Sequence, residues 1–308
     1  MRVLVLSEKE DTAEPFVNAL KSKGVKASYL RLIKISLVSK HKNTFIKALE
    51  ENIPKYDAVF LQARPSLAPF IEPLIETLND QGIYCNVRPG SYFIAVNEPF
   101  KFVSLAANKV LTPRTITSGS GKNIERVSKK VAYPLLAKSF LGKDVQQSTI
   151  VKSDLELNNF VKSIKSDIDG FMLREFIDEC IVSCVVIGKK VFAIDRRSGN
   201  SCVSDLEKGH FYKPREEERE NAIRAANACG LDIAKVDLVK GRVIDVEPEI
   251  PLQIFNRICS DNLEEHIANF YIDKINEIGP KVTAGDELRE LGTKLSKTIL
   301  SRFLKWQK

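Results

Sequence analysis

The first third of the chain alternates short apolar runs with amphipathic stretches. Branched and aromatic residues predict strands over Val3–Leu6, Ala27–Leu30, Tyr56–Leu61 and Ile83–Asn86. Apolar positions at helical spacing predict helices over Thr12–Ser22, Asn43–Asn52 and Ser66–Asp80. Strands that alternate with helices are typical of a parallel, doubly wound, Rossmann-like sheet, so we expect an α/β fold here. No GxGxxG follows the first strand, which argues against a dinucleotide site.

From about residue 100 onward, strands follow one another more closely, which favours antiparallel sheets. They are predicted over Tyr133–Lys138, Val145–Val151, Phe171–Ile177, Ile181–Ile187 and Lys190–Ile194, and helices over Phe100–Asn108, Asn123–Lys130 and Asp154–Ser163. After Pro251 the pattern is helical, with long helices predicted over Asn262–Ile278 and Asp286–Trp306. A helix like the last one usually docks on its own domain. Contact with a second copy of the chain, giving a homo-oligomer, or with a membrane surface is the alternative.

Acidic residues concentrate where two strands follow an alanine-rich helix that Cys229-Gly230 closes. Asp245 and Glu247, two apart on one strand, project to the same face, and a hairpin at 240–242 folds Asp237 toward them. Converging carboxylates repel one another unless a cation lies between them, and Mg²⁺ (or Mn²⁺) suits oxygen ligands. The alternative is a solvated sheet face, and spacing alone leaves the two open.

Composition excludes some classes of protein. The 308 residues are 44% hydrophobic with a formal charge of +7, which suits anionic ligands but is also common without them. No apolar run reaches the roughly 18 residues of a membrane helix, and the N-terminus becomes acidic too soon for a secretory signal. We therefore expect a cytoplasmic protein without a membrane partner. The six cysteines lack a CxxC pair and are interpreted as small buried hydrophobes in a reducing compartment.

Six segments, in order, resemble the motifs of one superfamily. They are a strand–helix–helix passage ending in Thr-Pro (Gly82–Ile116), a strand ending in lysine (Pro134–Lys138), LREFI (Leu173–Ile177), VIGKKVFA (Val186–Ala193), the pair Arg196 and Arg197, and Ala225–Pro251, which is similar to "A…AA..LGLDIAGVDLL…V.EVNPSPG". In this order they are similar to the ATP-grasp superfamily, most closely to its RimK-like branch of carboxylate–amine ligases. The resemblance implies an N-terminal domain over 1–95, a small ATP-grasp subdomain over 96–168, and a large one with C-terminal helices over 169–308.

The resemblance also implies roles for individual residues. Lys138 corresponds to the lysine that contacts the α/β-phosphates of ATP, and the LREFI segment to the hinge whose backbone holds the adenine edge. Arg197, beside Arg196, is the candidate for steadying the transferred phosphate, so Lys138 and Arg197 are the expected catalytic residues. The remaining implied cofactor contacts are Glu175, Phe176, Ile177, Lys101 and Gly142. The implied metal ligands are Asp237, Asp245 and Glu247, which would hold Mg²⁺ on the ATP phosphates.

Several positions depart from the family pattern. The lysine of the family's "DK" helix falls on Glu98, so that Lys101 substitutes only if the helix start is shifted. The glycine-rich loop has Gly142 alone, and an expected arginine falls on Ser183. The metal-binding asparagine falls on Glu247, which adds a negative charge.

The resemblance implies a reaction in which a carboxylate attacks the γ-phosphate of ATP and an amine then displaces phosphate from the acyl phosphate. The expected partners are a small molecule or peptide that carries the carboxylate and an amino-acid amine donor. The basic balance favours an acidic substrate, and glutamate is the candidate. His210 lies where relatives bind substrate, although a loop histidine is the simpler interpretation. The alternatives are a degenerate nucleotide-binding or scaffold module and, more weakly, a nucleic-acid-binding protein.

Overall fold

The N-terminal part is built on a parallel sheet, as the alternation of strands and helices predicts. The computed structural model of the protein describes residues 1–40, 43–48, 53–129, 131–140, 146–164, 170–199 and 201–279. The first elements are β1 (Arg2–Ser7), α1 (Glu10–Ser22), β2 (Lys26–Arg31), β3 (Ile35–Lys40), β4 (Asn43–Ala48), β5 (Ala58–Gln62), α2 (Ala68–Asp80) and β6 (Tyr84–Cys85). The sheet order is β2-β1-β5-β6 with all pairs parallel. Alternate residues of β1 enter different core clusters, so both faces of the strand are buried.

The helix predicted over Asn43–Asn52 is wrong for the six residues that the structure describes. Residues 43–48 form β4, which pairs antiparallel with β3 from Ile35 opposite Ala48 to Lys40 opposite Asn43. Ile46 and Ala48 pack against the core while Phe45 is exposed, which is the two-residue period of a strand. Cross-strand pairing outweighs the weak helical pattern here because it buries apolar groups of both strands.

A short helical passage leads to an antiparallel sheet, the small sheet. The elements are α3 (Ser91–Val96), α4 (Glu98–Ala107), β7 (Thr115–Ser118), α5 (Gly121–Ser128), β8 (Leu135–Phe140), β9 (Gln146–Val151), α6 (Asp154–Ser163) and β10 (Gly170–Glu175). Their sheet has the order β7-β10-β8-β9. Asn97 caps α4 by accepting the Phe100 N–H at 2.9 Å. Because β10 begins at Gly170, this sheet extends past the boundary predicted at residue 168.

A second antiparallel sheet, the large sheet, carries the acidic strands. The elements are β11 (Val182–Ile187), β12 (Lys190–Asp195), β13 (Arg197–Ser198), β14 (Ser201–Cys202), β15 (His210–Tyr212), α7 (Glu216–Ala228), β16 (Ile233–Val239), β17 (Arg242–Glu247), α8 (Leu252–Cys259) and α9 (Leu263–Ile278). The sheet order is β15-β12-β11-β16-β17, and β13 pairs with β14 beside it. The turn after α7 places Gly230 at φ +73°, as the predicted glycine end of that helix requires.

Helix α9 returns to the N-terminal sheet and packs against α1. Tyr271 is fully buried there, with its hydroxyl 3.0 Å from the Val59 carbonyl and 3.0 Å from Asn86 Oδ1. The helix predicted over Asp286–Trp306 lies outside the described residues. Within the part of the chain that the structure describes, no helix combines the length and apolar character needed to cross a bilayer.

The interpretation of all six cysteines as separate buried hydrophobes is wrong for one pair. Cys180 and Cys202 form a disulfide with a Cα–Cα distance of 4.9 Å. The bond joins the segment after β10 to β14. The two residues lie 22 positions apart in different elements, so their spacing carried no signal of the pairing. The other four cysteines are free, and Cys184 and Cys229 are buried as expected.

Candidate active site

The β16–β17 hairpin, here called the acid hairpin, brings the predicted acids together. Asp237 lies opposite Asp245, and Lys235 lies opposite Glu247. The two-residue turn holds Lys240 and Gly241 at φ +49° and +74°, the conformation that suits the twist of a tight hairpin. The predicted hairpin is therefore present, and all four charged side chains project from the same face of the sheet.

Asp237 is the most deeply buried acid of this group, and three donors surround it. Ser183 on β11 donates its hydroxyl to Oδ1 at 2.7 Å. Arg196 and Lys235 approach Oδ2 at 3.3 and 3.0 Å. Both oxygens of this carboxylate are thus engaged, Oδ1 by β11 and Oδ2 by Lys235 of its own strand and by Arg196, which follows β12. Ser183, where the family pattern expects an arginine, serves as a hydrogen-bond donor instead.

The Lys235 ammonium lies between two carboxylates. Its Nζ is 3.0 Å from Asp237 Oδ2 and 3.1 Å from Glu247 Oε2, and the side chain is 11% exposed. Burial alone would lower the pKa of Lys235, but the two carboxylates outweigh it and raise the pKa, so this amine is charged. Burial raises the pKa of Glu247, and the neighbouring Asp245 and Asp237 charges add to the rise while Lys235 opposes it.

Lys101 reaches the third acid from helix α4. Its side chain is buried, and its ammonium donates to Oδ1 of Asp245. The Val246 N–H also donates to this oxygen at 2.8 Å. Although burial raises the pKa of Asp245, the ammonium beside it prevails and lowers the pKa below its ordinary value. The lysine that the sequence assigns to the nucleotide therefore contacts the acid hairpin in this structure.

The three acids, as arranged, do not fit a divalent cation. Mg²⁺ needs several oxygen ligands at short distance, and cations compete for the same lone pairs. Here Asp237, Asp245 and Glu247 face Lys101, Lys235 and Arg196, so their formal charges cancel. The described residues contain no group of three or more acidic, cysteine or histidine side chains arranged to hold a metal. The assignment of these acids to a metal stays a prediction.

A cavity of about 400 Å³ opens between the small sheet and the acid hairpin. Residues 175–177 form one wall, and apolar side chains of Leu136, Val239 and Ile244 contribute others. The Phe176 N–H donates to the Pro134 carbonyl at 3.0 Å, whereas the Ile177 N–H has no acceptor among the described residues. An apolar cleft with a free backbone donor at its edge suits a flat heteroaromatic ring.

Glu175 lines this cavity, and its carboxylate is held by groups of two other segments. Its Oε2 accepts from Arg242 Nη1 at 2.7 Å and from the Arg114 N–H at 3.3 Å. The carboxylate therefore ties the end of β10 to the start of β17. That contact holds the wall formed by residues 175–177 against the acid hairpin.

Lys138 lies on β8 and is paired with Glu98. Its Nζ is 2.5 Å from Glu98 Oε2, and Arg174 approaches Glu98 Oε1 at 3.1 Å. Arg174 also donates to the Ile244 carbonyl at 3.0 Å and lies over the Phe102 ring, 5.1 Å from its centroid. Burial lowers the pKa of Arg174, and the charges of Glu98 and Asp245 oppose that effect. Sequence reasoning overlooked Arg174, although it directly precedes the hinge glutamate.

The two adjacent arginines point in different directions. Arg197 is exposed, and its side chain has no partner among the described residues. Its backbone carbonyl accepts from His210 Nδ1 at 3.0 Å. Arg196, by contrast, is 12% exposed and contacts Asp237. The structure thus brings Arg196 to the acids and leaves Arg197 at the surface, while Gly142 lies outside the described residues.

Comparison with known proteins identifies the family to which this chain belongs. A model of the RimK-like ATP-grasp domain matches residues 99–270, more than half of the chain. A probable alpha-L-glutamate ligase of Mannheimia succiniciproducens is 25% identical over 262 residues, which cover 76% of this chain and 88% of that protein.

Solved structures agree with the fold. ATP-grasp ligase PsnB, in complex with precursor peptide PsnA2 and AMPPNP, matches with a TM-score of 0.66 at 14% identity, over 89% of this chain and 97% of that one. The macrocyclase MdnC of Microcystis aeruginosa, bound to precursor peptide MdnA, has a TM-score of 0.64 at 11% identity, over 89% and 100%. The predicted ATP-grasp fold is confirmed, and this chain belongs to the RimK-like ATP-grasp family of ATP-dependent ligases.

Proposed function

We propose that the protein joins an amino acid to the carboxylate of a peptide or small molecule at the expense of ATP. One observation carries the proposal. Glu98 and Lys101, three residues apart on α4, connect Lys138 and Arg174 of the small sheet to Asp245 of the large sheet. This charged network adjoins the cavity through Arg174 and Ile244, which both line it. A nucleotide with its base in the cavity would thus extend its phosphates toward these charges.

Four residues around the cavity and the acidic strands have proposed tasks. The Ile177 N–H pairs with the adenine edge, and Lys138, released from Glu98, is a point charge for phosphate oxygens. Arg197 remains our candidate for steadying the transferred phosphate, because its guanidinium has no competing partner among the described residues. Arg196 instead holds Asp237 in place.

The proposed chemistry has two steps. A carboxylate oxygen of the acceptor attacks the γ-phosphorus of ATP, the bond to ADP breaks, and an acyl phosphate forms. An amine then attacks the acyl carbon, the carbon–oxygen bond to phosphate breaks, and the amine loses a proton. The net formal charge of +7 supports an acidic substrate, and we propose glutamate as the amine donor. The Mannheimia relative named as a probable alpha-L-glutamate ligase is consistent with that choice.

A degenerate module that binds nucleotide without turnover is the second candidate. The pairing of Lys138 with Glu98 favours it, since the lysine assigned to phosphate is already neutralised. Glu98 occupies the position at which the family pattern has a lysine. The two candidates differ in whether ATP is consumed.

Release of ADP distinguishes them. Purified protein is incubated with ATP, Mg²⁺, the common amino acids and a panel of peptides with free carboxylates, and products are followed by mass spectrometry with labelled glutamate. We expect ADP release that requires an amine and a carboxylate together. Lys138→Met should lower it about 100-fold, whereas Lys162→Met on the exposed face of α6 should not. Tight ATP binding without ADP release under every condition would favour the degenerate module.

A further inference from the structure

The charge arrangement around Lys235 has a consequence for the metal requirement of the site. We propose that the Lys235 ammonium is a built-in cation of the nucleotide site and occupies the position between Asp237 and Glu247 that a divalent ion would otherwise need. This inference rests on the proposed function, because that function is the reason why a divalent ion would be needed between these carboxylates. The charge balance that it describes is a property of the free protein.

The register of the hairpin places the Lys235 ammonium between two carboxylates. Lys235 and Asp237 lie two residues apart on β16, so their side chains share a face, and Glu247 lies directly opposite Lys235 on β17. The Nζ atom bridges the two carboxylates at 3.0 and 3.1 Å. The Lys235 side chain is only 11% exposed. The ammonium therefore cannot reach bulk solvent without losing both contacts.

The positive charges of Lys235 and Arg196 oppose the binding of a divalent ion. A divalent ion between Asp237 and Glu247 would lie against a fixed ammonium and near the Arg196 guanidinium. Like charges in a partly buried site repel strongly, so the lysine has to be displaced before the ion can bind. Among the described residues, removal of its charge leaves Asp237 with the Arg196 contact and Glu247 with no cationic contact.

The sequence itself suggests the informative variant. In the motif that this segment resembles, GLDIAGVDLL, glycine occupies the position of Lys235. The change Lys235→Gly removes the whole side chain, Lys235→Met keeps its apolar stem without the charge, and Lys235→Arg keeps a charge. Lys274→Met, on the surface of α9, is the matched control because Lys274 pairs with the exposed Glu277, far from the acids of the site.

Manganese binding to the nucleotide-free protein tests the proposal. Mn²⁺ is titrated into each protein, and free Mn²⁺ is measured by electron paramagnetic resonance. Lys235→Gly and Lys235→Met should bind one Mn²⁺ at least about tenfold more tightly than the wild type, and Lys274→Met and Lys235→Arg should not. Adding Asp237→Asn to Lys235→Gly should abolish the gain and so locate the ion.

The melting temperature with and without Mn²⁺ is a second readout, which still reports binding when a substitution lowers the stability of the protein. Mn²⁺ should raise the melting temperature of Lys235→Gly and Lys235→Met more than that of the wild type. Equal Mn²⁺ affinity in the wild type and both uncharged variants would overturn the proposal, because the lysine would then be no obstacle. The titration contains neither ATP nor acceptor. Its failure is therefore independent of the ADP-release assay, and failure of that assay leaves the titration standing.

Discussion

Charged residues of the candidate site pair across elements that are far apart in sequence. Lys101 and Asp245 come from α4 and β17, and Lys138 and Glu98 from β8 and α4. A buried charge without its partner is costly, so each pair constrains the relative position of two elements. The residues that carry the proposed chemistry are therefore also residues that fix the geometry of the site.

Acid should weaken the Lys101–Asp245 contact in a defined direction. The pKa of Asp245 is lowered in the folded protein, so its contribution to stability is present above its ordinary value of 3.8 and is lost as the pH falls through the folded value. We expect the free energy of unfolding of the wild type to fall below about pH 4, and that of Asp245→Asn to fall less. Urea unfolding between pH 6 and 3 measures both.

The control for this prediction is Asp273→Asn on α9. Asp273 is exposed and has no ion-pair partner among the described residues. This variant should follow the wild-type acid dependence. Identical curves for the wild type and Asp245→Asn would show that the Lys101 contact contributes nothing to folding.

Among the structural elements, those defined by local signals could be predicted from the sequence. The acid hairpin follows from residue alternation and a Lys-Gly turn, and α7 ends at the predicted glycine. The failure at residues 43–48 depends on pairing that their helical spacing does not reveal. They form a strand because β3, which directly precedes them, lies beside them.

The residues of the site also divide into those that a local sequence pattern predicts and those that only tertiary contacts bring together. Alternation placed Asp237, Asp245 and Glu247 on one face, but no local pattern could show that Lys101 and Arg196 would meet them. Those contacts arise from helix α4 and from the end of β12, which only the assembled sheets bring near. Lys235 was within reach of sequence reasoning, because it shares its strand face with Asp237.

The turn after α7 should tolerate no side chain. Gly230 has φ +73°, and an added Cβ would collide with the Ser91 hydroxyl, which itself donates to the Gly230 carbonyl at 2.9 Å. Gly230→Ala should reduce the free energy of unfolding by about 2–3 kcal/mol. Gly24→Ala is the matched comparison, since φ is +78° there but no atom lies within 4 Å of an added Cβ.

Gly24→Ala should cost only the backbone term of about 1 kcal/mol. The difference between the two variants, measured by chemical unfolding, isolates the collision with Ser91. Equal losses would mean that Ser91 moves aside at no cost.

In the molecule as a whole, α9 connects the C-terminal part of the described chain to the N-terminal sheet. Four aromatic rings surround Tyr271 there: Phe16, Phe60, Tyr84 and Phe270. The first two belong to α1 and β5, so the contact spans most of the sequence. This packing holds the N-terminal sheet against the C-terminal helix that follows the large sheet.

Tyr271→Phe should test that connection. The substitution keeps the ring and leaves the Val59 carbonyl and Asn86 without the hydroxyl, so we expect a loss of about 1–2 kcal/mol in the free energy of unfolding. Tyr133→Phe, whose hydroxyl contacts Asp154 near the surface, should cost less. A larger loss for Tyr133→Phe would contradict the role assigned to α9.

Activation of a carboxylate by phosphorylation, the chemistry proposed for this protein, leaves a signature in the transfer of oxygen. The protein is given ATP, glutamate and a glutamate-ended peptide whose carboxylates carry ¹⁸O, and the released phosphate is analysed by mass spectrometry. We predict one ¹⁸O in the phosphate for each amide bond formed, because the acyl phosphate leaves with an oxygen of the carboxylate. Amide formation with unlabelled phosphate would contradict the account, and so would ATP hydrolysis without any amide product.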